Sequence, residues 1–407
     1  MTLLDDCQAR LPAMLEDVRR IIECESPSED AAANARSADV VAEVLGARLA
    51  EVGLPSEPQR IEVDGGITLR WRTGGPSRVL LLGHHDTVWP LGTLARLPFS
   101  TDGGLLRGPG CFDMAIGLVQ ATHAVAALAA LRGADAVADV TILVTGDEET
   151  GSTRSRHLLE EEAREADAVL VLEASGPGGA LKTERKGTSM YTVAVTGRAA
   201  HAGLEPERGV NAGIELAHQI HAIAALADPD AGTTVTPTSG RIGTTLNTVP
   251  AAASVDVDVR ARTAAELERV DAAIRQLEPV LDDARLEVSG GINRPPLERA
   301  MAADLFGRAQ RAAPAAGVHD LADCSVGGAS DGNFTAGIGV PTLDGLGGVG
   351  GGAHAEDEHV LIEHVAHRTA LLALVIEDLL GASAPDPSPS ESHGTGSASA
   401  STAGTAP

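Results

Sequence analysis

Seven residues hold most of the reactive chemistry available to this sequence: His84, Asp86, Asp113, Glu148, Glu149, Glu173 and His354. Imidazoles and carboxylates without a paired thiolate suit zinc or a similar borderline divalent ion. Taken singly, a histidine or aspartate at the end of a strand is usually a cap or turn residue, and Glu148-Glu149 would read as a solvated loop charge. Their placement argues otherwise. Three short apolar runs, Val79-Leu-Leu-Leu-Gly83, Val140-Thr-Ile-Leu-Val144 and Ala168-Val-Leu-Val-Leu172, read as strands buried on both faces. They lead into Gly83-His-His-Asp-Thr-Val88, Thr145-Gly-Asp-Glu-Glu-Thr150 and Glu173. Asp113 ends a turn, Arg107-Gly-Pro-Gly-Cys-Phe-Asp113, that precedes a helix, and His354 follows a Gly-rich loop. In an open α/β sheet, ligands bind beyond the carboxyl ends of the strands.

The elements that must position these residues alternate along the chain. Helix-like spacing covers 9–23 and 34–52, an Ala-rich helix runs from Ala115 to Leu131, and further helices fall near 154–165 and 360–380. Strands alternating with helices predict a mostly parallel sheet covered on both faces. The stretch 187–295 differs. Ser189-Met-Tyr-Thr-Val-Ala-Val195 and Ser254-Val-Asp-Val-Asp-Val-Arg260 alternate, as one-sided antiparallel strands do, with helices expected near 211–227 and 263–280. The expected fold is therefore α/β. A mostly parallel-sheet domain (1–186 and 296–381) is interrupted by a smaller α+β, ferredoxin-like insertion (187–295). Residues 382–407 are Ser, Pro, Ala, Gly and Thr with almost no large apolar residue, and are expected to be a disordered tail.

Composition removes several functions. A net charge of −26, from 57 acidic against 31 basic residues, lacks the basic footprint of nucleic-acid binding and argues against an anionic membrane surface. It does not forbid a small anionic substrate, because a few placed arginines can dominate the local field. Cys7, Cys24, Cys111 and Cys324 are widely spaced, which excludes a disulfide framework and a Cys-rich zinc site. The N-terminus lacks a signal-peptide pattern and no apolar run approaches the ~18 residues of a membrane span. A reducing cytoplasm is the expected location. Gly345-Leu-Gly-Gly-Val-Gly350 satisfies a dinucleotide-binding spacing, but Gly-Gly-Ala-His follows it rather than a helix.

The motifs together resemble the M20 family of metallopeptidases, most closely its glutamate carboxypeptidase branch, with acetylornithine deacetylases and succinyl-diaminopimelate desuccinylases as further kin. His84-His-Asp86-Thr-Val is similar to H-x-D-T-V, Gly108-Pro-Gly-Cys-Phe-Asp113-Met to G-x-G-x-x-D-[MD], and Asp147-Glu148-Glu149-Thr-Gly-Ser to D-E-E-x-G-S. Ala200-His201-Ala-Gly resembles the S/A-H-A-G of the inserted domain, and the likeness spans roughly residues 10 to 380. One departure stands out: Ala115-Ile116 follows Asp113-Met114 where the family has Lys-Gly.

The resemblance implies two divalent ions per chain, zinc by default with cobalt or manganese as substitutes. Asp113 would bridge them, with His84 and Glu173 completing one ion and Glu149 and His354 the other. Asp86 would orient the His84 imidazole, and Glu148 would be the general base toward water activated by the pair. His201 would reach the site on closure, from its own or a partner subunit. Asn247, Arg260 and Arg294 match the residues that bind a substrate carboxylate. The implied activity is hydrolysis of the amide of an N-acyl or peptidyl amino acid, with C-terminal glutamate as default. An N-acyl amino acid deacylase or a dipeptidase is the alternative, and a non-catalytic binding relative the remaining one. The implied partners are a small amide or peptide substrate with a free carboxylate and a second copy of the chain, docked through the insertion.

Overall fold

Val79–His84, Val140–Thr145 and Ala168–Val171 are strands buried along their whole length. A computed structural model describes residues 1–381, and the expected tail at 382–407 lies outside the described residues. From edge to edge, the main sheet runs Gln59–Val63, Gly66–Arg72, Val140–Thr145, Val79–His84, Ala168–Val171 and Thr342–Leu343. Its last four strands are mutually parallel, and the 59–72 hairpin adds an antiparallel edge. His84 pairs with Thr145 and Leu82 with Val171, so three chain segments leave the sheet at the same end and nearly the same level. That register delivers His84, Glu148, Glu149 and Glu173 to one place.

Alternate residues of these strands face two separate cores. Leu81, Ile142, Val144 and Leu170 pack toward helices Leu3–Ile22, Ala31–Ala50, Ile116–Arg132 and Ile362–Gly381. Leu80, Leu82, Leu143 and Val171 pack toward Arg156–Glu165 and Phe334. With few aromatic residues, close approach of small side chains fills the space, and Ile116–Arg132 is buried nearly all round. Its segment Cys111–Arg132 corrects the expectation that no apolar run is long enough to cross a membrane. By length and composition it is, but 89% of its apolar window lies inside the protein, as a central core helix requires.

Residues 187–294 form the order βαββαβ of a ferredoxin-like unit. Its antiparallel sheet runs Thr234–Ile242, Ala252–Ala261, Gly187–Thr196, Arg285–Arg294. Tyr191, Val193, Val195, Val255, Val257 and Val259 form one face with helices Ala212–Ala224 and Ala264–Arg275, while Met190, Asp256, Asp258 and Arg260 lie on the other. Both outer strands escape a reading by alternation. Thr234–Ile242 carries Pro237 and a register shift between Pro237 and Gly240, which only an edge strand accommodates. Arg285–Arg294 is interrupted by Gly290-Gly291. Where the chain leaves and returns, the Arg185 and Leu297 amides each donate to the other's carbonyl at 3.0 Å.

Candidate metal centre

His84 ends its strand with the imidazole buried. Its Nδ1 lies 2.9 Å from the Asp86 carbonyl oxygen, an acceptor only, so this nitrogen carries the proton and Nε2 presents its lone pair to the cleft. The Asp86 carboxylate also accepts from the Glu148 and Glu149 amides, each at 3.2 Å, and from the Ser28 hydroxyl at 2.6 Å. Asp86 thereby fixes the histidine and the following acidic turn in one arrangement. Burial pushes its carboxyl up, but the adjacent His84 and the Ser28 hydroxyl hold it below the usual range.

Asp113 divides its oxygens between two sets. Oδ1 lies 3.3 Å from His84 Nε2, which is 3.6 Å from Glu173 Oε1. Oδ2 lies 3.3 Å from His354 Nε2, which is 3.2 Å from Glu149 Oε1. His84, Asp113 and Glu149 offer ligand atoms within 4.8 Å of one another, and so do His84, Glu148 and Glu173. Tetrahedral ligands at ~2.0–2.2 Å from zinc are themselves ~3.3–3.6 Å apart, matching these spacings. His84 Nε2 and Asp113 Oδ1 are buried and neither makes a hydrogen bond. Two orphaned, convergent donors of this kind fit divalent cations, and carboxylates so crowded demand positive charge between them.

The electrostatics agree. Burial lowers the His84 imidazole's proton affinity, but Asp113, Asp86 and Glu173 more than reverse this and raise its pKa well above the ordinary value. His354, hydrogen-bonded toward Asp113 and Glu149, is pushed up to about 10. Protons are thus drawn to the positions that metal ions would occupy. Burial pushes the Glu148 carboxyl well up, with Arg294 and His84 pulling it the other way. For Glu173, burial and Asp113 raise the carboxyl, yet Arg185, His84 and Lys182 hold it below the usual range.

Glu358 belongs to the same site, behind Asp113. Buried, it accepts from the amides of Gly110, Phe112 and Asp113 at 2.9, 2.9 and 3.0 Å, and from the Trp89 indole at 3.0 Å. It locks the turn that aims Asp113. Its only signal was an acidic run, Glu356-Asp-Glu358, just after His354, and such runs are normally solvated. A second such pair is Arg185 and Asp344, 2.6 Å apart, behind Glu173.

The other expected site residues scatter. The carbonyl of Asn247 accepts from the Ala202 amide and Thr248 pairs with His201, so Asn247 and His201 sit together on an exposed edge. His201 Nδ1 accepts from the Gly203 and Leu204 amides, and among the described residues no hydrogen bond joins the ring to the His84–Asp113 cluster. Arg260 is held by Asp258 at 3.0 Å on the open sheet face. Arg294 alone reaches the cluster: its Nη2 contacts Glu148 Oε1 at 3.0 Å, the Glu148 carbonyl at 3.0 Å and Ser152 Oγ at 2.9 Å. Asp331 is buried beside it, accepting from the Thr145 and Ser152 hydroxyls. Cys111 is a buried packing residue. Ala115 and Ile116, the departure from the family pattern, are both buried, and Ile116 packs so closely on Gly348 that a Cβ there would lie 2.6 Å from Cγ2.

Residues 80–378 match the model of Peptidase family M20/M25/M40. Carboxypeptidase G2 of Pseudomonas sp. (strain RS-16) is 30% identical over 379 residues, covering 90% of this chain and 89% of that protein. Succinyl-diaminopimelate desuccinylase of Roseobacter denitrificans is 28% identical over 338 residues, covering 76% and 85%. The crystal structure of aminopeptidase PepT from Bacillus cereus superposes with a TM-score of 0.69 at 22% identity, covering 91% of this chain and 98% of that one. The chain thus belongs to the M20/M25/M40 peptidase family and is a carboxypeptidase-like metallohydrolase.

Proposed function

We propose that this protein hydrolyses the amide bond of an N-acyl or peptidyl amino acid, preferring C-terminal glutamate, with two divalent ions held by His84, Asp113, Glu149, Glu173 and His354. The observation that carries this reading is the division of Asp113 between the His84–Glu173 and His354–Glu149 pairs, with Glu148 beside the first. Bound ions supply Lewis acidity toward a water and the amide carbonyl. Glu148 takes the proton from the attacking water and returns it to the leaving nitrogen. Asp86 and Glu358 hold the liganding turns still, so the pocket is preorganised before substrate arrives. In this reading closure of the insertion brings Asn247 and Arg260, which lie apart from the cluster here, to join Arg294 on the substrate carboxylate, and His201 to donate to the developing oxyanion. Guanidinium suits that task because it can grip a carboxylate through two parallel bonds.

The preference for glutamate rests on the resemblance to the glutamate carboxypeptidase branch. Similarity to succinyl-diaminopimelate desuccinylases favours, as a second reading, removal of an acyl group from an amino acid. A panel of N-acyl amino acids and dipeptides with different C-terminal residues, run zinc-loaded and after chelation, tests both. Chelator-sensitive release confined to C-terminal Glu or Asp supports the first reading. Release governed by the acyl group supports the second, and no release from protein carrying two metals per chain refutes both.

A further inference from the structure

A cavity of about 260 Å³ shares no residue with the candidate metal centre. His319, His364 and His367 line it, together with Arg368. Arg368 is only 2% exposed, yet no carboxylate pairs with it among the described residues. Its guanidinium donates to three backbone carbonyls instead: Gly347 at 3.2 Å, Gly179 at 3.0 Å, and Gly345. A guanidinium has five N–H donors, so these bonds leave donors to spare. Burial alone draws its pKa down to about 10. In a chain with net charge −26, a buried cation without a countercharge marks a place where an anion would be stabilised.

The walls extend that chemistry. His367 lies with Nδ1 2.9 Å from the Ala316 carbonyl, which leaves Nε2 free. The His319 ring is exposed, and His364 is 3.8 Å from the Glu363 carboxylate. Asp320 and Glu363 are the acids of the lining, and both are exposed. A metal ion is disfavoured because Arg368 repels it and, among the described residues, these imidazoles do not converge into a ligand group.

We propose that this cavity binds a small oxyanion, a carboxylate or a phosphate, with Arg368 as its cationic floor and His319, His364 and His367 as its walls. Such a ligand is linked to the segment bearing Glu173 through backbone groups. Gly345 and Gly347 accept from Arg368, and the Gly347 amide donates to the Glu173 carbonyl at 2.9 Å. Occupancy therefore bears on the segment that presents a metal-ligating carboxylate, through contacts separate from those of the substrate.

The test is calorimetric titration of the metal-loaded protein with inorganic phosphate and, separately, succinate. Removing Arg368 risks the fold, so the primary variant is H319A/H364A, whose side chains are not buried, with metal content checked. The expected result is saturable binding that the double variant weakens about tenfold while amide hydrolysis without added anion is unchanged. Tighter succinate binding identifies a carboxylate ligand and tighter phosphate binding a phosphate; either sustains the proposal. Absence of binding up to about 10 mM of both probes, or a double variant that weakens binding less than about threefold, overturns it.

Discussion

A carboxylate surrounded by other carboxylates is stable only when something positive stands between them, and here the positive partners are divided by role. Arg294 stands on Glu148, Arg185 stands behind Glu173, and His84 and His354 face Asp113. If Glu148 is the proton carrier, Glu148→Gln keeps size and hydrogen bonding but removes basicity. Its kcat should fall by roughly 10²–10⁴, with two metals per chain retained by elemental analysis. Glu358 acts through others, so its loss should appear elsewhere. Glu358→Gln leaves three amides with a weaker acceptor, and metal affinity should drop about 10–100-fold in a competition titration. A Glu358→Gln protein that binds metal as tightly as the parent would remove its positioning role. His84, Glu148, Glu149 and Glu173 were legible because each ends or follows a buried apolar strand, and Asp113 and His354 because each stands at a Gly-rich turn or loop. Glu358 was not, because its partners are backbone amides far away in sequence and no side-chain pattern announces them.

At the scale of elements, the decisive contacts are between a helix start and a strand end. Gly117 lies so close to the Leu172 carbonyl that a Cβ would sit 2.0 Å from its oxygen. Gly117→Ala should therefore push helix Ile116–Arg132 off the sheet at the very turn that carries Asp113. A loss of about 1–3 kcal/mol is expected in chemical denaturation, together with weakened metal binding. In the insertion, Glu215 is fully buried and accepts from the Val280 and Leu281 amides and from Gln219. Burial raises its carboxyl, but those hydrogen bonds outweigh it and hold the pKa below the usual glutamate value of 4.5. The unfolded chain then binds the proton more readily, so this stabilisation is complete above the ordinary pKa and lost as pH falls through the native one. Protection factors in helix Ala212–Ala224, with exchange referred to the intrinsic rate at each pH, should fall on acidification below about pH 4.5, and Glu215→Gln should flatten that dependence. Equal pH dependence in both proteins would refute it. The inner strands and helices here were readable from period alone. The outer strands were not, because Pro237 and Gly290-Gly291 serve edge geometry rather than alternation.

For the whole molecule, the proposed metal centre would also be a clasp. Its candidate ligands come from the ends of two central strands, the turn before a core helix, the acidic turn after a third strand, and a late Gly-rich loop. Ions binding the native arrangement and not the unfolded chain add stability by mass action, ~4 kcal/mol at a thousandfold excess over Kd. Chelation should therefore lower Tm by several degrees, reversibly on adding zinc back; an unchanged Tm would mean the cluster does not need its cations. The overall architecture could be anticipated because strand burial and helix spacing are local properties. The relation of His201, Asn247 and Arg260 to the cleft could not, because it depends on how the two sheets are oriented rather than on any local pattern.

The paired amides of Arg185 and Leu297 draw the departing and returning chain together before the insertion begins. Loop-closure entropy for whatever lies between is then largely met by the host frame, and it grows only slowly with length. Such a junction lets the intervening segment change length at little entropic cost, so long as Arg294 at its end keeps its hold on Glu148.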